Sequence, residues 1–330
     1  MPEPWLHLQA MGAAALASAM FVLALGGWRW PASATRLNSA IVFGIGIGLV
    51  VGYRVLSLQL TWPPAQGLDR FLTIVVPAIF GIELVAGLEG VPPGIAWFLR
   101  MSLAATTPSI LWHGSVYLSG SSSDWTRWQA GTEVAVCGAL LAGLWVLLSW
   151  LLQRSPGISI PFALGLTIQC AGLTVMMAGY IKGGAAAFPL AATLVATAFA
   201  ARLIAKRAGV PAILGIGVVG LFSLLFIGRY FGRLSTGSAL TMLLAPLLCW
   251  ATEIPLLRHR KPWLVGSLRL ALVAIPLLVV LAVAKRNFDR DMAPLLGEAT
   301  RITWRHWPRR PGRPACRPPL RTSLPATWRS

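Results

Sequence analysis

The feature that most constrains this sequence is a series of uninterrupted apolar runs, each about twenty residues long, separated by short polar turns. A helix needs about twenty residues, at ~1.5 Å each, to cross the ~30 Å hydrocarbon core of a bilayer. Inside that core every backbone N–H and C=O must find a partner within the protein, so only helices and closed barrels span. A barrel would show weaker, alternating segments of about ten residues. Here the runs are continuous. Only 12% of the 330 residues are charged, against about 25% in soluble domains. The chain therefore reads as an all-α integral membrane protein, a bundle of about ten transmembrane helices. Its place is a cell membrane, multi-pass, and in a Gram-negative cell the inner membrane.

The expected spans run from about His7 to Gly27, Asn38 to Leu58, Phe71 to Leu88, Gly94 to Trp112 and Gly131 to Leu152. Five more run from about Ile158 to Ile181, Gly184 to Ile204, Val210 to Ile227, Ser235 to Leu257 and Trp263 to Ala284. The first lacks a basic leader and a convincing cleavage site, so it reads as a retained span. Gly44 and Gly48 in the second form a small-xxx-small pair, which lets another helix approach closely; they are assigned to helix packing.

Charges inside spans are the sharpest signal, because each is costly at mid-bilayer and needs a partner or a cavity. The third and fourth spans meet at the turn Gly90-Val91-Pro92-Pro93-Gly94, with Glu83 going in and Arg100 coming back. Both lie eight or nine residues from the turn centre, roughly 12 Å below it along a helix. Antiparallel helices bring them to similar depth, where they pair either as a structural lock or as part of a permeation site. Glu253 and Arg269 are a second candidate pair. They lie beside the basic turn Arg258 to Lys261, so an interfacial, snorkelling arrangement is expected. Snorkelling also accounts for Arg54 and Lys182 near span ends.

The two hairpins resemble each other. Pro77, Glu83, Arg100 and Pro108 align with Pro246, Glu253, Arg269 and Pro276 at offsets of 169, 170, 169 and 168. Gly44-Ile-Gly recurs at Gly215-Ile-Gly at an offset of 171. One reading is duplication: two parallel four-helix repeats, 1–115 and 178–284, joined by a central helix pair. The other is chance recurrence of abundant residues. Together 1–284 form the transmembrane domain.

The formal net charge of +18 is of the size a nucleic-acid binder carries, but its distribution is not that of one. Residues after Ala284 carry +8 of it, and the rest lies mostly in short loops, as the positive-inside rule produces. The partners implied are the lipid bilayer and anionic lipid at the basic loops and tail, not nucleic acid. Loop charges favour an outside N-terminus; the tail opposes this but counts for less, being mostly far from a span end. The tail, 285–330, is basic, rich in Pro and Arg, and expected to be disordered. It reads either as a lipid-binding extension or as translation in a shifted frame that replaces two further spans.

Enzyme signatures are poor. His7, His113, His259 and His306 are scattered, with no second His at i+4 and no acidic partner, so no metal site is expected. The four cysteines are isolated, no nucleophile motif surrounds the serines, and no cofactor or catalytic residue is assigned. The polar loop from His113 to Trp128, with Asp124, is the one place to look for catalysis. The expectation is a transporter-like protein for a small solute or lipid. The alternatives are a membrane-embedded transferase acting on lipid-linked substrates and a non-catalytic scaffold subunit.

Overall fold

The computed structural model describes residues 4–26, 34–114, 127–155, 157–205, 211–253 and 262–301. Residues 1–288 and 289–330 form two compact units. Every regular element among the described residues is a helix. In chain order these are α1 (Pro4–Gly26), α2 (Ala34–Val55), α3 (Gly67–Arg70), α4 (Val76–Ala86), α5 (Pro93–Trp112), α6 (Arg127–Arg154), α7 (Ser159–Met177), α8 (Ile181–Ile204), α9 (Pro211–Tyr230), α10 (Thr236–Leu244) and α11 (Pro262–Arg301). Seven of them are long and apolar enough to cross a membrane: α1, α2, α6, α7, α8, α9 and α11.

The three other expected spans fall on helical stretches that are less regular or less apolar. Residues 67–86 are helical throughout, but a π turn at Phe71–Val75 joins α3 to α4. Pro77 follows directly; it has no N–H to donate, and the widened turn lies where the ladder would otherwise break. Residues 236–253 change at Ala245 from α10 into a 3-10 stretch, Ala245–Glu253, again beside a proline, Pro246. α5 is a single helix of 20 residues carrying Arg100 and Pro108 inside it.

The helix at the centre is α9. Every residue from Ala212 to Gly228 is buried, as expected of a helix that is apolar all round. Its glycines admit the leucines and valines of neighbours: Gly220 receives Leu190 of α8, and Gly228 receives Val175 of α7. Large apolar side chains such as Leu16, Met20, Phe98, Ile275 and Leu278 are exposed on other helices. An outer surface of that kind suits lipid rather than water.

A second close seam joins α1, α2 and α8. A Cβ on Gly44 would stand 2.6 Å from Val22 of α1, and one on Gly48 would stand 2.5 Å from Thr193 of α8 and 2.7 Å from the Ala14 carbonyl. Gly52, one turn further, faces Pro189 and Ala14 in the same way. Ser18 and Thr197 are hydrogen-bonded across the seam. Thr107, Thr167 and Thr174 return their hydroxyls to carbonyls of their own preceding turn, so these buried groups are satisfied within one helix.

α11 departs from expectation. It continues to Arg301, so residues 285–301 are helical where a disordered tail is expected. The Arg- and Pro-rich run after Arg301 and most of the polar loop, 115–126, lie outside the described residues.

Candidate functional site

The turn after α4 is tight: Gly90 has φ +100°, a left-handed conformation that suits glycine. Pro92 and Pro93 then start α5, where a missing N–H costs nothing because the first turn has no acceptor for it. This brings α5 back alongside α4. Arg100 Nε donates to Glu83 Oε1 at 2.9 Å, and Nη2 donates to Oε2 at 2.6 Å. Such a forked contact satisfies both carboxylate oxygens in one plane. Glu83 is 1% exposed, and the arginine carbon lies 5.4 Å from the Trp97 ring.

Glu83 is held from three further directions. Asn38 of α2 donates to its backbone carbonyl at 2.8 Å, and bare Gly87 gives Asn38 room to do so. Beneath the carboxylate lies Gly215 of α9, with Trp145 of α6 alongside. Arg100 also borders a cavity of about 270 Å³, lined with Trp97, Ser149, Gln153, Pro211 and Leu214. The pair is thus buried at Glu83 and open to a small, partly polar space at Arg100.

The second pair is differently placed from the snorkelling arrangement expected for it. Arg269 Nη2 donates to Glu253 Oε1 at 2.6 Å, but the guanidinium is only 4% exposed. It also donates to Thr252 Oγ1 at 2.7 Å, Ser159 Oγ at 3.1 Å and Ser155 Oγ at 2.7 Å. Arg269 is therefore buried and almost saturated. It ties α11 to the 3-10 stretch and to the junction of α6 with α7. The hydroxyls at Ser155 and Ser159 come from over a hundred residues away, and nothing local in the sequence marks them.

Beside Arg269 opens a cleft of about 660 Å³ between the α6–α7 junction, the end of α8, the 3-10 stretch and the start of α11. Its lining includes Arg154, Arg202 and Arg269 against one carboxylate, Glu253. Glu253 is spent on Arg269. Arg154 lies over the face of Trp150 at 3.9 Å. Both charge pairs lie at the same end of the bundle, since Ser149 to Ser155 at the end of α6 reach from the Arg100 cavity to the Arg269 cleft. Arg54 and Lys182 are exposed at helix ends.

The opposite end carries a smaller polar cluster. Asp69 accepts from Thr61, and Arg70 donates to the carbonyls of Ala65 and Leu111. Burial pushes the Tyr180 phenol up, and the charge of Asp69 adds to this. Near it Tyr230 donates to Glu133 at 3.3 Å. Among the described residues no group of three or more His, Cys, Asp or Glu side chains is placed to hold a metal. His113 stands at the end of α5; Asp124 lies outside the described residues.

Compared with known proteins, the chain matches no family model, no curated protein and no solved structure.

Proposed function

We propose that this chain is a ten-span, transporter-like membrane protein that takes up a small solute or lipid at the arginine-lined end of its bundle. The observation that carries this reading is the cleft of about 660 Å³ between helix ends, polar at its base and open at the protein surface. A protein that only holds helices together has no need of an open, charged space there.

Ten spans follow if residues 67–86, α5 and residues 236–253 cross beside the seven longer helices. Contacts between ends support this alternation. Thr35 donates to Glu89 at 3.1 Å at one end, and the Arg233 amide donates to the Ala178 carbonyl at 3.0 Å at the other. Duplication gains support from both hairpins: α5 and α11 each begin at a proline and each carry the paired arginine seven residues later. Against it, Gly44 faces α1 whereas its aligned partner Gly215 faces Glu83. With the N-terminus outside, the cleft opens on the inner face of the membrane.

The test is purification in native lipid discs with mass spectrometry of compounds enriched over empty discs, followed by exchange of the enriched compound across proteoliposomes. Time-dependent exchange is expected. Retention without exchange would replace transport by the scaffold reading. Chemical conversion of the compound would favour a transferase.

A further inference from the structure

We infer that the cleft beside Arg269 binds the phosphate headgroup of an anionic amphiphile, with Arg154 and Arg202 as the binding cations. This rests on the membrane placement proposed above and names the ligand class for that site.

The electrostatic argument starts from what is already used. Arg269 gives its donors to Glu253, Thr252, Ser155 and Ser159, and so builds the floor of the cleft rather than binding a ligand. The one carboxylate in the lining is neutralised by it. Arg154 and Arg202 remain as two exposed guanidiniums over that floor. Among the described residues, Arg154 meets the Trp150 face but makes no ion pair, and Arg202 makes neither an ion pair nor a side-chain hydrogen bond. Planar forks of five donors each suit a tetrahedral oxyanion, and the exposed Ser267 adds a hydroxyl. The N-terminus of α7 opens into the same cleft through Gly157, Ile158 and Ser159, and no side chain caps it. The dipole of that helix adds positive potential in the same direction.

The lining is also amphipathic. Phe162, Val265 and Leu270 provide an apolar wall, and Trp263 stands at the rim, 66% exposed. Indole rings collect at the level of lipid headgroups. The cleft lies at helix ends, at that same level rather than in the hydrocarbon. A cationic base, an apolar wall and an interfacial depth together fit a phosphate group attached to an acyl chain better than a free sugar or a cation.

The experiment uses native mass spectrometry of the full chain in detergent with three probes: phosphatidylglycerol, diacylglycerol of the same chains, and glycerol phosphate. Phosphatidylglycerol should bind and diacylglycerol should not. The double variant Arg154→Gln/Arg202→Gln should lose binding at least about tenfold, since loss of one charge-assisted contact already gives that much. Arg233→Gln, an exposed cation at the other end, should bind like the parent. Arg202→Glu alone is the second variant should the double one fail to fold, and it should weaken binding further than Arg202→Gln. Glycerol phosphate binding as well as the lipid, with the same arginine dependence, would keep the phosphate site and make its source a soluble ester. Equal binding of diacylglycerol, or undiminished binding in the folded variants, overturns the inference. Binding without exchange across vesicles would overturn the transport reading alone; exchange without arginine-dependent binding would overturn this site alone.

Discussion

The carboxylate of Glu83 rests on the bare Cα of Gly215: a methyl added there would stand 3.0 Å from Glu83 Cδ and 2.9 Å from Trp145. This contact lets α9 pass directly behind the ion pair of α4 and α5. Gly215→Ala should therefore lower stability by about 1–3 kcal/mol, the usual range for overpacking. Scanning fluorimetry in detergent reads it as a fall in Tm. An unchanged Tm would mean that α9 is free to move away from the pair.

Glu83 and Arg100 should be coupled. Removing one partner of a buried pair strands the other charge and costs about 3–5 kcal/mol. Glu83→Gln and Arg100→Gln should each lower Tm and yield, and the double change should recover part of the loss. Simple additivity would show that each charge has a different partner.

The glycines of the α1–α2–α8 seam should not be equivalent to glycines elsewhere. Gly48→Ala places a methyl 2.5 Å from Thr193 and should destabilise. Gly12 of α1 has no neighbour within 4 Å of an added Cβ. There Gly12→Ala should gain about 0.5–1 kcal/mol through helix propensity alone. Opposite shifts in Tm for the two variants are the expected result; equal shifts would place the seam elsewhere.

Arg269→Lys should fail to replace the parent. A lysine presents one ammonium at a point and cannot reach Thr252, Ser155, Ser159 and Glu253 together. The expected outcome is a Tm close to that of Arg269→Gln. Recovery by lysine would show that charge, not the fork, holds α11 in place.

Reporter fusions after Arg207 and after Ala284 should lie on opposite faces, because α9, residues 236–253 and the apolar part of α11 lie between them. The same face for both would remove one of those three crossings.

Much was legible in the sequence because it depends on neighbours along the chain. Apolar length and helical hydrogen bonding are local, so six of the seven long helices lie within a few residues of runs read from the sequence, and the seventh, α11, starts where its run does but continues past it. The Glu83–Arg100 contact was accessible for the same reason: one tight turn and one helical rise set both depths. What tertiary structure alone decided is which face meets which. In a bilayer nearly every helix is apolar, so hydropathy does not mark α9 as the centre or Gly215 as the rest for Glu83. Nor does it mark Ser155 and Ser159 as ligands of Arg269, or bring Arg154 and Arg202 to one cleft. Those relations depend on side chains from about fifty to more than a hundred residues apart fitting together in space, which no local pattern encodes.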